Sequence, residues 1–565
     1  NYGMFGHVDA GVLHVRPALD MCDPLQEKLM HEISDEVVKL VAKYGGLMWG
    51  EHGKGFRSEY GPEFFGDELF AELRRVKSAF DPHNKMNPGK ICTPLESHEE
   101  LVKVSDTKRG FYDRQIDVKV RDSFKQAMEC NGNGLCFNYD TASPMCPSMK
   151  VTADRRHSPK GRAGLVREWL RQLTEQGIDI LDLEKQSLES ASVKTLLDRV
   201  RNSFNKRHQY DFSHEVYEAM NGCLACKACA SQCPIKVDVP SFRSRFLNIY
   251  YSRYQRPAKD YLVANIETML PLMAKAPKLV NGVLKQKWVQ SLTASTVGYV
   301  DAPLLSIPTL AKRVTQLKTF DMQALAAMSS EDKANHVLIV QDPFTSYYDA
   351  DVVDDFVKLV IKLGKTPVLL PFKPNGKAQH IKGFLAQFAR NAKSTAMFLE
   401  QVADLNIPMV GVDPALVLCY RDEYNEILGD KRGEFDVLTV HEWMLPRLSE
   451  FTVSSGDSQP WYLLAHCTEK TKLPNAEKEW GAIFTHFSAK LDTIPVGCCG
   501  MAGTFGHEVD KLEMSKDIFA LSWKPRLEEL PAERCLVTGY SCRSQVKRFE
   551  HVKTKHPLQA LLEIV

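Results

Sequence analysis

The spacing of hydrophobic positions changes along the chain, and each change predicts a different kind of element. Between residues 160 and 222 apolar side chains recur at helical spacing, as at 165–170, which predicts a mainly helical region. The run at 336–340 is instead short and continuously apolar, as a buried strand is. A helical pattern at 352–360 and a second apolar run at 367–371 follow. This alternation predicts an α/β unit with a parallel sheet.

A second copy of the α/β pattern follows towards the C-terminus. It starts at the apolar run 461–465 and continues through 535–539 to the end of the chain. The stretch at about 256–333 has a helical pattern that prolines interrupt, and prolines end or kink helices. We expect this stretch to be a connector on the surface without a catalytic role of its own.

The chain opens in a strand-like stretch without an initiator methionine. Apolar side chains occur at Val8, Val12, Leu13 and Val15, and a strand of this kind needs neighbours to pair with. We therefore expect the chain to be the later part of a longer polypeptide. A domain that precedes it would hold another cofactor.

Composition favours a protein of several domains in a reducing compartment. The chain has 565 residues, of which 44% are hydrophobic, and a formal net charge of +1. A charge so close to zero offers no general attraction to nucleic acid or acidic membranes. The sequence has no uninterrupted apolar stretch of about 20 residues, the length of a membrane span. The 15 cysteines lie in metal-type spacings and not in a disulfide framework, which favours the cytoplasm.

The most informative motif is a run of four cysteines. Cys223, Cys226, Cys229 and Cys233, followed by Pro234, have the C-x2-C-x2-C-x3-C-P spacing with which a chain wraps a cubane iron–sulfur cluster. A zinc site is disfavoured, because zinc prefers two C-x2-C pairs. The fourth cysteine of such a run usually serves another cluster, so a partner motif is expected. The motif predicts a protein that transfers single electrons.

The partner motif lies upstream and is incomplete. It contains Cys130, Cys136 and Cys146, with Asn133 where a further cysteine is expected. By exchange between the motifs, Cys146 would complete a [4Fe-4S] cluster with the first three cysteines of the run. Cys130, Cys136 and Cys233 would then supply three thiolates. This number suits a [3Fe-4S] cluster, a cube with one unusual ligand, or no cluster.

Three histidines and a glutamate form a candidate site for a divalent metal ion in the first segment. His7 and His14 lie seven residues apart, and Glu51 and His52 follow a helical stretch. Two imidazoles and a carboxylate bind such an ion well, and a further imidazole beside it can act as a base. The spacing alone fits equally well with scattered polar histidines that have no common function.

The residues around these histidines resemble a signature of FAD-linked oxidases of the vanillyl-alcohol oxidase type. Residues 6–14 are similar to the pattern Gly-His-x-x-x-Gly-x-Leu-His in the C-terminal domain of that family. The segments 50–53 and 81–90 continue the match in the same order. In this family two histidines and a glutamate bind a divalent metal ion, commonly zinc, which holds the substrate's carboxylate and hydroxyl. The resemblance implies His7, His14 and Glu51 as the ligands and His52 as the base.

The same resemblance implies further contacts with substrate and cofactor. Arg57 would bind substrate, and Asn87 and Lys90 would lie close to FAD, which is bound mainly by the domain upstream. The chain departs from the signature at Ala10 and Val12, where Asp and Asn are usual. This departure leaves the ligands unchanged but alters the residues that surround them.

The last module resembles a tandem of cysteine-rich CCG repeats, of which the second copy keeps its cysteines. Cys467, Cys498, Cys499 and Cys542 match the pattern that holds a zinc ion or a non-cubane iron–sulfur cluster in some relatives. The first copy retains only Cys419. Adjacent cysteines also occur as inert buried thiols, so both a metal site and an empty fold stay open for the second copy.

The order of modules resembles large bacterial fusion proteins that join an FAD-linked oxidase to an iron–sulfur subunit of the glycolate-oxidase or heterodisulfide-reductase type. The segment 158–162 resembles the turn and helix start that such subunits place beside the cluster. The expected fold class is multidomain α+β, with a partial FAD-oxidase C-terminal α+β domain, an α-helical ferredoxin-like iron–sulfur domain and tandem α/β CCG-type repeats. The expected boundaries are 1–95 for the oxidase domain, 96–125 for a linker, 126–255 for the cluster domain, 256–333 for a helical connector and 334–565 for the repeats.

The resemblance implies an FAD- and iron–sulfur-dependent dehydrogenase of D-2-hydroxy acids. D-2-hydroxyglutarate is the first candidate substrate, and D-lactate and glycolate are alternatives. Hydride would pass to FAD, and single electrons would pass through [4Fe-4S] to an acceptor, either a quinone or a redox protein. Two other classes stay open: an electron-relay subunit without its own substrate site, and a protein whose cluster is structural or sensory. The expected location is the cytoplasm, and peripheral association with the inner membrane and a homo-oligomer are left open.

Overall fold

A computed structural model describes most of the chain and divides it into two compact units. The first unit comprises residues 1–123 and 170–178, and the second comprises 124–169 and 179–565. Glu51, one of the expected metal ligands, lies outside the described residues. The described ranges are 1–50, 52–188, 193–205, 210–452 and 456–565.

The first unit opens with the strand pairing that its sequence predicts. Strand β1 (Tyr2–His7) and strand β2 (Val12–Pro17) form an antiparallel hairpin. Glycine is required at position 6, because a Cβ atom there would lie 2.2 Å from the Val12 carbonyl oxygen. The hairpin is followed by helices at Pro24–Lys43, Gly55–Tyr60, Gly61–Phe80, Arg109–Asp113 and Val118–Ser123.

The second unit begins as the helical region that the sequence predicts, and it carries both cysteine motifs. The buried rings of Trp169 and Phe246 pack edge to face with centroids 5.0 Å apart, which joins two of its longest helices. One of them starts after Asp238, whose side chain accepts a hydrogen bond from the Ser241 backbone. The helices lie at Lys125–Met128, Pro147–Thr152, Pro159–Glu175, Ile180–Leu188, Val193–Asn205, Ser213–Asn221, Ala228–Ser231 and Val239–Arg253.

The connector is a series of short helices, as its prolines predict. Asn281 fixes it to the chain that follows, because its side chain exchanges two hydrogen bonds of 2.9 Å with the Leu305 backbone. Glu267 accepts a hydrogen bond of 2.9 Å from the Gly376 backbone N–H. Four of the helices lie at Ala258–Ala264, Ile266–Met273, Pro277–Leu284 and Lys287–Leu292.

Two parallel sheets follow, as the alternating pattern predicts. The strands are β3 (His336–Val340), β4 (Thr366–Leu369), β5 (Met409–Gly411), β6 (Leu438–Thr439), β7 (Asp457–Leu464), β8 (Ala489–Thr493) and β9 (Cys535–Val537). The first sheet has the order β4-β3-β5-β6 and the second the order β8-β7-β9. Their side chains share one core, in which Ile339 and Val410 of the first sheet and Leu463 and Leu536 of the second are fully buried.

Helices cover both sheets, as connections between parallel strands require. Within the described ranges, no helix combines the length and the apolar character that a bilayer span needs. The principal helices of the first sheet are Pro343–Tyr348, Ala350–Lys362, Lys377–Ile381, Leu385–Ala403, Pro414–Arg421, Glu423–Leu428 and Val440–Met444. Those of the second are Cys467–Lys472, Ala476–His486, Leu512–Glu529, Tyr540–Phe549 and Pro557–Ile564.

Candidate substrate and electron-transfer sites

Three histidines come together in the first unit. His7 ends β1 and His14 lies on β2, and the centroids of their rings are 5.4 Å apart. The ring of His52 lies 5.4 Å from that of His14 on the same centroid measure. The loop before His52 packs against the hairpin, because a Cβ atom at Gly50 would lie 2.8 Å from the Val12 side chain. The structure thus gathers three of the four residues of the expected metal site, and Glu51 is the one it does not describe.

The residues expected near substrate and FAD lie on two connected segments of the first unit. Arg57 lies on the short helix Gly55–Tyr60 and is exposed, and so are Asn87 and Lys90 on the following turn. The two segments are joined where the Ile91 backbone N–H donates to Ser58 Oγ at 2.9 Å. Exposed polar side chains on a fixed turn are free to contact a bound molecule.

The complete cysteine motif forms a tightly turned loop in the second unit. Ala225 and Lys227 have left-handed backbones, with φ of 53° and 59°, a conformation that side chains other than glycine adopt at an energetic cost. The Ala225 N–H points at the Cys223 sulfur over 3.5 Å. Burial and the nearby thiol of Cys467 raise the pKa of Cys226 above its ordinary value. A loop that turns N–H donors towards its sulfurs suits an iron–sulfur cluster.

Cys146, the expected fourth ligand, lies beside a buried arginine. Arg162 is 1% exposed, and its Nη1 lies 3.6 Å from the Cys146 sulfur. Its other nitrogens donate to Ser148 Oγ at 3.0 Å and to the Ala219 carbonyl at 2.8 Å. A buried guanidinium requires a negative charge nearby, and the Cys146 thiolate supplies this charge when it binds iron. The arrangement therefore fits a cluster ligand at Cys146.

Replacing Arg162 with methionine is expected to lower the reduction potential of the cluster. The reduced cluster carries one more negative charge, which the guanidinium stabilises at short range. The measurement is a potentiometric titration followed by EPR on the full-length protein. Arg162→Lys keeps the charge and should shift the potential less, and Arg156→Met, at an exposed position, should not shift it. An unchanged potential in Arg162→Met with an intact cluster would contradict the assignment of Cys146.

Only some residues of the incomplete motif are buried. Cys130 and Cys136 are buried, and burial raises the pKa of Cys136. Asn133 is exposed, and its side-chain amide donates to Asn131 Oδ1 while its oxygen accepts from the Leu135 backbone, both at 2.9 Å. The side chain at the position of the expected further cysteine therefore makes its hydrogen bonds within its own turn. Cys233 is half-buried.

The four cysteines of the second repeat are all buried and influence one another. In the pairs Cys467–Cys498, Cys498–Cys499 and Cys499–Cys542 each thiol shifts the pKa of its neighbour. The neighbouring thiol of Cys498, together with burial, raises the pKa of Cys467 well above its ordinary value. The glycine of the CCG turn is required at position 500, because its φ is 83° and a Cβ atom there would lie 2.4 Å from a carbonyl oxygen.

The first repeat uses the corresponding region for internal hydrogen bonds. Asp342 caps the helix Pro343–Tyr348, accepting hydrogen bonds of 2.8 Å from two backbone N–H groups. His466 caps the helix Cys467–Lys472 in the second repeat in the same way. In each repeat the helix begins directly after its capping residue. Pro343 of the first repeat therefore occupies the position that Cys467 has in the second.

The complete cysteine motif and the cysteines of the second repeat border one cavity in the second unit. It lies at the carboxyl ends of strands from both sheets, where parallel α/β sheets place their ligand sites, and has an empty volume of about 1040 Å³ that includes space open to solvent. The sequence does not predict this meeting, because the two motifs are far apart along the chain. The cysteines that line the cavity are Cys223, Cys226, Cys467, Cys498 and Cys499.

Lys150 is a buried lysine near cysteines of the helical region and of the second repeat. The sequence did not single it out. Its ammonium donates to the carbonyl oxygens of Asp140 and Ser143 at 2.6 and 2.5 Å. Burial lowers its pKa, while the nearby thiols of Cys146 and Cys498 act in the opposite direction. The only hint in the sequence is a lysine four residues after a cluster cysteine. In this position Lys150 would offset the negative charge of thiolates that bind iron.

The candidate metal-ligand side chains that the structure describes lie near one another but are not arranged around a common point as they would be around a bound metal ion. Across the described ranges, no group of three or more His, Cys, Asp and Glu side chains is arranged to hold a metal ion as it stands. The chemistry of the cysteine donors nevertheless fits iron–sulfur clusters, because the thiols are grouped, largely buried and near positive side chains. Cluster formation would have to displace protons, since the ligand form is the thiolate.

Comparison with protein families identifies two domains. The family described as "FAD linked oxidases, C-terminal domain" matches residues 1–91, and the family described as "4Fe-4S dicluster domain" matches residues 126–237. The first match contains the three clustered histidines, and the second contains both cysteine motifs of the helical region. No solved structure matches the chain significantly.

Several curated proteins are similar over the whole of this chain. Proteins named D-2-hydroxyglutarate dehydrogenase from Pantoea ananatis (strain AJ13355) and Escherichia coli (strain K12) are each 61% identical over 569 residues, covering 100% of this chain and 56% of the relative. One from Haemophilus influenzae (strain ATCC 51907 / DSM 11121 / KW20 / Rd) is 55% identical over 577 residues, with the same coverage. The chain thus spans about half the length of these relatives. It carries the C-terminal domain of FAD-linked oxidases and a 4Fe-4S dicluster domain, and is similar from end to end to proteins named D-2-hydroxyglutarate dehydrogenase.

Proposed function

We propose that this chain is the metal-binding and electron-transfer part of an FAD-dependent D-2-hydroxyglutarate dehydrogenase. The observation that carries the proposal is the grouping of His7, His14 and His52, with ring centroids 5.4 Å apart in each neighbouring pair. This grouping lies inside the segment that matches the oxidase domain. The names of the relatives support the choice of substrate.

His52 is the catalytic base in this proposal. His7, His14 and Glu51 hold a divalent ion, and zinc is expected from the family resemblance. When bound, the ion supplies Lewis acidity, FAD supplies two-electron oxidation and the cubane supplies one-electron transfer. Arg57 binds a carboxylate of the substrate, since a guanidinium matches that group with two hydrogen bonds. His52 then takes the proton from the α-hydroxyl.

The second unit provides the electron path. Cys223, Cys226, Cys229 and Cys146 hold the [4Fe-4S] cluster, and the buried charge of Arg162 stabilises its thiolates. The remaining cysteines are candidates for further centres. Cys130, Cys136 and Cys233 are proposed for a second cluster, and Cys467, Cys498, Cys499 and Cys542 for a metal ion or non-cubane cluster.

We also propose alternative substrates and two classes of electron acceptor. D-lactate and glycolate are the alternative substrates, and the acceptor is a quinone or a redox protein. Asn87 and Lys90 are placed near FAD, which the upstream part of the longer protein binds. The expected location is the cytoplasm.

The test is EPR spectroscopy of the anaerobically purified full-length protein before and after addition of D-2-hydroxyglutarate. A reduced-cluster signal that appears with this substrate, but not with its L-isomer, is the expected result. A signal with D-lactate or glycolate alone would transfer the proposal to that substrate. A signal with dithionite only would contradict the dehydrogenase and favour a relay subunit.

A further inference from the structure

Compared with the repeats that follow it, the connector exposes many apolar side chains. Among the described residues, nine large hydrophobic side chains are exposed between 261 and 307, and only three from residue 310 to the C-terminus. Single exposed apolar residues are common, whereas a concentration of them marks an interaction surface. Six of them form what we call the apolar stripe: Met269, Leu272, Leu279, Val283, Trp288 and Leu292.

The stripe lies on three consecutive helices, and buried residues hold the inner faces of the first two. Its members form three pairs at spacings of three or four residues, one pair on each of the helices Ile266–Met273, Pro277–Leu284 and Lys287–Leu292. On the opposite side Leu270 is completely buried and Asn281 is hydrogen-bonded to the Leu305 backbone. The 70% exposure of Leu279 is therefore a property of a packed segment, and Trp288, on the next helix, is 67% exposed.

The charged side chains within the stripe's own stretch of sequence are all positive. Lys275, Lys278, Lys285 and Lys287 are all exposed. The sequence from 268 to 300 contains no aspartate or glutamate. The net charge of the whole chain, +1, conceals this local excess. A segment with exposed leucines, a tryptophan and lysines but no acidic residue complements an anionic, apolar partner.

We propose that the apolar stripe and its lysines form a docking surface for an anionic membrane. Helices with this composition lie in the plane of a bilayer, with their apolar side chains below the headgroups and their lysines among them. Tryptophan favours the same interface. A protein partner is the weaker match, because lysine is depleted in protein–protein interfaces.

The helix Ala258–Ala264, which precedes the stripe in the chain, contributes to the lining of the cavity that the cysteines border. Its Val263 lines that cavity, as Cys226 does. The Gln379 side chain donates to the Ala264 carbonyl at 3.1 Å and ties this helix to the first repeat. Docking would bring the cavity close to a bilayer, where a quinone acceptor dissolves. This consequence rests on the proposed function, whereas membrane binding does not.

The test measures sedimentation of the full-length holoenzyme with lipid vesicles, without substrate. Vesicles of phosphatidylcholine alone are compared with vesicles that also contain phosphatidylglycerol. We expect binding to the anionic vesicles only. Binding should weaken roughly fivefold for each of Lys278→Gln, Lys285→Gln and Lys287→Gln, and roughly tenfold or more for each of Leu279→Ser and Trp288→Ser.

Matched controls keep the test independent of folding and of the proposed activity. Ile361→Ser and Met397→Ser replace exposed apolar residues outside the stripe, and Lys524→Gln an exposed lysine, and all three should bind like the unchanged protein. No vesicle binding, or equal binding by all variants, would overturn the proposal. So would a change of oligomeric state in Trp288→Ser without vesicle binding, because the stripe would then be a protein contact. A missing EPR response to D-2-hydroxyglutarate would leave the vesicle result unaffected.

Discussion

Replacing His52 with alanine is expected to reduce turnover of D-2-hydroxyglutarate by about 100- to 10,000-fold, the range that general acid–base catalysis contributes. The ring of His52 adjoins that of His14, with centroids 5.4 Å apart, so the base would stand beside the metal ligands. The variant should retain FAD and iron, because neither is bound by this residue in the proposal. Steady-state kinetics of the full-length protein with an artificial electron acceptor provide the measurement.

The control for this experiment is His98→Ala, which changes an exposed histidine of the same unit. It should leave turnover within the error of the assay. Added imidazole should restore part of the activity of His52→Ala, since a missing base is a chemical defect that a small base can supply. Full turnover in His52→Ala would exclude this residue as the base and would favour a relay subunit fed by another flavoprotein.

Replacing Cys229 with serine is expected to remove the [4Fe-4S] cluster, with a loss of about four iron atoms per chain. Cys229 is buried, and burial raises the pKa of its thiol well above the ordinary value, so this side chain is poorly suited to be an unliganded thiolate. D-2-hydroxyglutarate should still bleach the flavin absorbance of the full-length variant. The EPR signal of the reduced cluster should be absent, and electron delivery to the acceptor should stop.

Cys22→Ser is the matched control, because Cys22 is a half-buried cysteine of the first unit that belongs to neither motif. Its iron content should equal that of the unchanged protein. An unaltered iron content and EPR signal in Cys229→Ser would show that the cluster uses other ligands. A loss of flavin reduction together with the cluster would instead show that the cluster is needed for the fold of the substrate site.

Features with a local physical cause could be predicted from the sequence. The cysteine run is recognisable because its thiols must meet within a few residues of chain, so their spacing is constrained. The strand His336–Val340 was predicted because a buried parallel strand is apolar on both faces. The helical breaks of the connector were predicted because each proline removes a backbone donor.

Features that depend on distant parts of the chain could not be predicted in this way. The shared cavity of Cys226 and Cys467 exists because two sheets place the carboxyl ends of their strands at one core. The proximity of Lys150 to both cysteine groups follows from the same packing. The outward position of Asn133 depends on hydrogen bonds within its turn, whereas its place in the motif left open whether it binds a cluster.

The sequence by itself determined the classes of element and the iron–sulfur motif, because both depend on residue types at short spacing, whereas the set of histidines was implied by a family resemblance. Only the tertiary structure decided which of these groups meet and which apolar faces stay uncovered. Leu270 and Leu272 are neighbours of the same type, yet one is completely buried and the other is 63% exposed. Periodicity shows that a helix has an apolar face, but only packing against the rest of the chain determines whether that face is covered.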